Sequence, residues 1–227
     1  VLDVLERRLH EYPRADHRTV ISNMTNANEQ QLERIRRLGA IVSVNPYLPV
    51  SFADKYGKAD LGAERANEMV RSASILQLGI PLSFHSELPV APASPLYLVW
   101  AAVNRTTLMG RVAGEDQKIS VEAALRAVTI DAAYSLRKEH ELGSIAVGKI
   151  ANLTILEKDP FDVPAAKLKD IGVWGTVFEG KAFAVAQADK PKPIAAAAVL
   201  KTPANAKPAA VPKTPATSQP KPAKPTK

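Results

Sequence analysis

Apolar positions in the first half of the chain follow two alternating rhythms. Val1, Leu2, Leu5 and Leu9 return at helical spacing with Arg7 and Arg8 opposite, so the sequence opens inside an amphipathic helix that Pro13 ends. Apolar runs at 17–24 (HRTVISNM), 40–46 (AIVSVNP, broken by Pro46) and 80–87 (IPLSFHSE) each read as a short buried strand. Between them lie helical patterns at 29–39, capped by Asn26 or Asn28 and closed by Gly39, and at 63–79, closed by Gly79. A long loop carrying Tyr47 and Tyr56 is expected after Pro46. Two more helices are predicted at 95–107 and 120–136, the second with Ser120 as its N-cap.

Strand alternating with helix three times is the grammar of a parallel α/β sheet. Three such units are too few to close an eight-stranded barrel, which takes about 250 residues. The pattern changes after residue 140. Short β runs at 151–159 and 171–186, with a hairpin signal at Glu179-Gly180, predict a small β module.

Composition changes the picture at the far end. From Asp189 onward the chain is Ala, Pro, Lys and Thr, with 9 of the 18 prolines and 8 lysines against one acid. The formal charge of +7 therefore belongs wholly to 189–227, while 1–188 holds 22 basic and 22 acidic residues. Such a segment has too little apolar surface to offset its ordering entropy, and it is expected to be a disordered cationic arm. The balanced body gives no case for a nucleic-acid partner. No apolar run approaches the roughly 20 residues that span a bilayer, so no membrane partner is expected. There are no cysteines, which excludes disulfide and thiolate chemistry and leaves the compartment undetermined.

Ligands of parallel α/β sheets bind at the C-terminal ends of the strands. The polar residues there are Ser22 and Asn23, then Asn45, then His85, Ser86 and Glu87. His85 and Glu87 form either a metal or proton-transfer pair or a hydrogen-bonded structural pair. Arg65 either reaches a carboxylate ligand or pairs with Glu64 or Glu68. Phosphate-loop, Gly-x-Ser-x-Gly and zinc-type Cys/His motifs are absent from the sequence.

Two longer stretches are more specific. SVEAALRAVTIDAAYSL (120–136) precedes LGSIAVGKIANLTILEKDP (142–160) and VWGTVFEGK (173–181). Their order, spacing and Gly148-Lys149 turn resemble the C-terminal signature of the amidohydrolase superfamily. The resemblance extends over residues 1–186 and favours the family 3 branch, with D-aminoacylase-like and formamide-deformylase-like members. RLGAIVSVNP and GIPLSFHSELPV fit that branch as barrel strands seven and eight.

The resemblance implies the C-terminal part of a (β/α)8 metallo-dependent hydrolase barrel, a TIM barrel, plus a small β-sandwich module and a disordered tail. Residues 1–140 would supply strands six to eight, 141–188 the β-sandwich-like module and 189–227 the tail. It further implies hydrolysis of non-peptide C–N bonds of small amides, with a divalent metal, zinc, as cofactor. A metal-bound water ionises near neutral pH and so supplies hydroxide. Glu87 falls at the position of the catalytic and metal-binding Asp of strand eight. Asn23 falls at the metal-ligand His of strand six, within Arg18-Thr19-Val20-Ile21-Ser22-Asn23. His85 becomes a pocket-lining, substrate-binding candidate beside Asn45 and Arg65.

Both departures weaken a metal site. An amide oxygen is a poorer zinc ligand than imidazole, and the extra methylene of Glu displaces the carboxylate by roughly 1 Å, which can cost on the order of 100-fold in rate. The expectation is a chain that is inactive by itself: part of a longer hydrolase, or else a non-catalytic binding module or half of a split enzyme. Its partner would be a missing N-terminal half or further copies of itself, because three barrel units leave strand edges unpaired.

Overall fold

The computed structural model describes residues 1–185, so the expected disordered arm at 189–227 lies outside the described residues. The chain is α/β, with two small sheets. In order it forms α1 (Leu2–Glu11), β1 (Val20–Ser22), α2 (Glu29–Leu38), β2 (Ile41–Val44), α3 (Tyr47–Ala59), α4 (Ala63–Asn67), α5 (Ser72–Gln77), β3 (Leu82–Phe84), α6 (Pro95–Asn104), α7 (Val121–Ala127), α8 (Ile130–Ser135), β4 (Leu153–Leu156), β5 (Val173–Phe178) and β6 (Lys181–Ala184). Among the described residues no helix is long and apolar enough to cross a membrane.

The first sheet is parallel, in the order β1-β2-β3. The register places Ser22 beside Ser43 and Ser43 beside Ser83. Neighbouring side chains alternate between faces. One face therefore carries Val42, Val44, Leu82 and Phe84, all buried, while the other carries this serine row. The strands are shorter than the expected runs, and the serine face also carries Val20 and buried Ile41 near the N-terminal ends. The backbone leaves the strand at Asn23 and turns again at Glu87, both at positive φ.

Helix ends match local chemistry where the signal is local. Asn28 accepts the Gln31 N–H, Gln31 returns the bond to the Asn28 N–H, and Gly39 closes α2 in the left-handed conformation. Ser120 caps α7 by accepting the Ala123 N–H at 3.1 Å. Glu179 and Gly180, both at positive φ, make the two-residue turn between β5 and β6.

Three expected elements differ. The stretch after Pro46 is helix α3 rather than loop. Pro46 is its N-cap and Pro49 lies in its first turn, where proline sacrifices no intrahelical bond. The helix expected over 63–79 is broken into α4 and α5, and the helix over 120–136 into α7 and α8 around Val128 and Thr129. The first break has a long-range cause. Arg105, 1% exposed, donates to the carbonyls of Ala113 (2.5 Å), Val70 (2.9 Å), Asn67 (2.9 Å) and Met69 (2.8 Å). Val70, at φ 53°, donates its own N–H to Thr25 O at 2.7 Å. Carbonyls held by a guanidinium are turned away from a helical ladder. Gly114 fits the same knot, since a Cβ there would stand 2.3 Å from Asn67 O.

A second arginine ties the start of the sheet to the end of α8. Arg18 donates to Tyr134 O and Glu139 Oε1, each at 2.7 Å, and its guanidinium lies 3.6 Å over the Tyr134 ring. The β module attaches through the turn Ala165–Asp170, where buried Leu168 packs and Lys169 Nζ sits 4.0 Å over the Trp100 ring. Asn152 Oδ1 accepts the Glu179 N–H at 2.8 Å, which ties the start of β4 to the hairpin turn.

Arg105→Met should destabilise the chain by about 3 kcal/mol or more, because four carbonyls lose their donor in a site water cannot enter; guanidinium titration followed by circular dichroism measures it. The Arg18 hydrogen bond holds the Glu139 carboxyl down to about 2, from an ordinary 4.5. A depressed acid stabilises the fold above its unfolded pKa, and that contribution fades as pH falls from about 4.5 to about 2. Glu139→Gln should flatten this part of the pH–stability curve, as read by melting temperature at each pH.

Candidate functional site

The in-register sheet brings four of the five sequence candidates to its C-terminal end. Asn45 follows β2 by one residue, His85 follows β3 by one and Glu87 by three, and Asn23 follows β1 by one. Asn23 Nδ2 donates to Glu87 Oε1 at 2.8 Å. The two residues stand on the outer strands of the sheet and close across the end of β2 between them. Both have left-handed backbone, at φ 57° and 54°. Asparagine tolerates that region and glutamate does so at a cost of about 1–3 kcal/mol. The turn after Glu87 is pinned by Val90 N–H to Glu87 O at 2.7 Å and Ala91 N–H to Ser86 O at 3.1 Å.

His85 sits below this pair, on the serine face. Its Nδ1 is 2.9 Å from Ser43 Oγ, its backbone N–H donates to Val44 O at 3.0 Å, and its buried Nε2 has no protein hydrogen-bond partner. Burial lowers its pKa and the nearby Glu87 charge raises it, with burial the larger effect. The imidazole is therefore neutral at pH 7. Ser43 is a member of the site that the sequence reading did not select. Its signal was its place two residues before Asn45, on the same strand face.

Asn45, 1% exposed, uses both ends of its amide on the backbone. Nδ2 donates to Ser86 O at 2.9 Å and Oδ1 accepts the Tyr47 N–H at 3.0 Å. It locks the end of β2 to the turn after β3 and starts α3. Arg65 is exposed on α4, and among the described residues no hydrogen bond or ion pair joins it to the strand-end group. His17, whose Nδ1 meets Thr19 and whose Nε2 meets Leu38 O at 2.7 Å, is a structural residue at the start of β1.

Beside this group, a cleft of about 410 Å³ opens along β3. Phe84, His85 and Ser86 form one wall, and Ser94, Leu98 and Val128 face them. Val42 N–H donates to Pro81 O and His85 N–H to Val44 O, so Pro81 and His85 turn their backbone toward β2. By alternation, Leu82 and Phe84 turn theirs to the free edge that the cleft exposes. A smaller cavity of about 150 Å³, lined by Leu2, Ile21, Met24 and Ile35, lies at β1 on the other side of the sheet.

Chemically, the strand ends offer one carboxylate, one imidazole and two amides, of which Asn45 is spent on the backbone. Glu87 and His85 are the donors able to hold a cation. Among the described residues no group of three or more His, Cys, Asp or Glu side chains converges as a metal site would require. Asn23 presents amide hydrogens, not a lone pair, to Glu87. The arrangement does not fit a bound metal of the expected kind.

A family model described as the amidohydrolase family matches residues 1–184. The chain is 30% identical over 154 residues to the N-substituted formamide deformylase of Arthrobacter pascens, covering 68% of this chain and 28% of that protein. It is 26% identical over 191 residues to the amidohydrolase YtcJ of Bacillus subtilis, covering 80% of this chain and 34% of that one. Among solved structures, a metal-dependent hydrolase from Pyrococcus horikoshii OT3 aligns with a TM-score of 0.58 and 27% identity, over 72% of this chain and 32% of that one. The chain thus spans about a third of the length of the proteins it matches.

Replacing Asn45 by Ala should lower stability by about 1–3 kcal/mol, because it frees a buried carbonyl and a buried N–H together; thermal unfolding of the variant checks it.

Proposed function

The chain belongs to the family 3 branch of the amidohydrolase superfamily, and we propose that it forms the C-terminal portion of a hydrolase acting on non-peptide C–N bonds of small amides. In this reading residues 1–140 supply strands six to eight of a (β/α)8 barrel and 141–188 a β-sandwich-like module. The proteins it resembles include a metal-dependent hydrolase, and a divalent metal, zinc, is the cofactor of the assembled family site. Asn23 and Glu87 stand where the family carries a His and an Asp. The observation that carries the reading is their direct hydrogen bond. It supports one strand-end site for both residues, and its chemistry favours a chain that is inactive by itself. Glu87 is the proton acceptor this chain would contribute and His85 its substrate-side candidate, whereas Asn45 spends its amide on the backbone and Arg65 stands apart from the strand ends.

The two free sheet edges favour a partnered form over a self-sufficient domain. β1 and β3 each pair on one side only, and each open edge borders a cavity. The second sheet is similarly bare. Trp174 and Phe178 flank Thr176, which pairs with Phe183, so the three rings share one face at 45%, 57% and 54% exposure. A split enzyme, whose other half supplies the neighbouring strands, is the alternative these surfaces support.

The purified 227-residue chain, supplied with zinc, should release no formate from N-substituted formamides above the buffer rate. Turnover by the chain alone, lost in Glu87→Ala, would overturn the inactive reading.

A further inference from the structure

The metal that the family implies and the residues at this site disagree, and that disagreement has a structural meaning of its own. Strands of a sheet lie about 4.8 Å apart, so the ends of β1 and β3 are separated by about 10 Å with β2 between them. Asn23 and Glu87 span that gap from opposite sides and meet at 2.8 Å. The orientation of the amide follows from chemistry. The flipped rotamer would set its carbonyl oxygen against a carboxylate oxygen at the same distance, acceptor against acceptor. An N–H therefore occupies a lone pair of Glu87 Oε1, on the side from which the neighbouring strand would otherwise offer a metal ligand. Two non-glycine residues with left-handed backbone, on strands that do not touch, face one another through this one bond.

We infer that Asn23 and Glu87 form a metal-independent latch, in which an amide N–H replaces a bridging cation and holds the two outer strand ends together over β2. The latch compensates the glutamate charge with a neutral donor, so the strand ends need no cation to stay closed. It is a property of the folded chain and rests on no hydrolytic activity. Melting temperature and metal stoichiometry read it, and failure of either is separate from the outcome of the formamide assay.

The test uses the full chain. Zinc, manganese and EDTA should each leave its melting temperature unchanged, and calorimetric titration with zinc should show no stoichiometric site. Asn23→Ala and Glu87→Ala should each lower the melting temperature by about 2–4 °C, with the double variant no lower than the worse single one, as expected for partners in one bond. Glu87→Gln, which keeps an acceptor oxygen, should retain most of the wild-type value. Asn23→Asp should lose stability through carboxylate repulsion and regain it on adding zinc or manganese. Additive losses in the double variant, or a zinc-induced rise in the wild type equal to that of Asn23→Asp, would overturn the latch.

Discussion

The parallel register of three short strands is the constraint on which the rest depends. Ser22, Ser43 and Ser83 fall in one row, and that row fixes where each chain emerges. One residue past the strand gives Asn23 on β1 and Asn45 on β2, and one and three past it give His85 and Glu87 on β3. A slip by one residue would turn each side chain to the opposite face. The serines would then take the places of Val42, Val44, Leu82 and Phe84, and those apolar side chains would lose their buried packing. Apolar burial on the helix side thus places the polar groups on the other, and the strand-end cluster follows from packing several residues away.

Parallel pairing demands long crossovers, and two arginines make this chain's crossovers rigid. Arg105 gathers carbonyls from the α4–α5 break and from Ala113, which fixes the path into β3. Burial lowers its pKa to about 10, which leaves it charged at neutral pH. Its charge is spread over peptide dipoles and has no carboxylate in hydrogen-bonding contact. Such an arrangement costs desolvation and repays it only if all the carbonyls stay in place. Arg18 acts at the opposite end of the sheet with carboxylates and an aromatic face. The N-terminal ends are therefore held by charge, and the C-terminal ends by neutral amides, Asn45 on the backbone and Asn23 on the Glu87 carboxylate.

Elements governed by local rules were legible in the sequence. Gly39, the Ser120 cap and the Glu179-Gly180 turn depend on residues within a few positions of one another and were placed from the sequence, which also narrowed the α2 cap to Asn26 or Asn28. The breaks in 63–79 and 120–136 were not, because the first depends on Arg105, some 35 to 38 residues away, and no helical period announces it. Helix α3 was missed since Pro46, Pro49 and Gly57 read as loop residues unless their places in the helix are known. Gly57 lies where α3 runs close to α4, so that a Cβ added there would stand 3.5 Å from the Ala66 Cβ. At the site, strand-end logic found Asn23, Asn45, His85 and Glu87. It could not tell that Asn45 spends its amide on the backbone, or that Ser43 orients His85.

A carboxylate at the mouth of a parallel sheet must be balanced by something. Water can do it, or a cation, or a donor built into the neighbouring strand. The superfamily pattern uses a cation held by imidazoles, which gives reactivity along with closure. Here the neighbour is Asn23, and a neutral N–H gives closure without a Lewis acid. The adjoining imidazole is neutral too, so nothing at the strand ends carries positive charge toward Glu87. In the proposed latch the strand ends close through a hydrogen bond, and the packing beneath, from the serine row to the buried valines, is that of an ordinary parallel sheet.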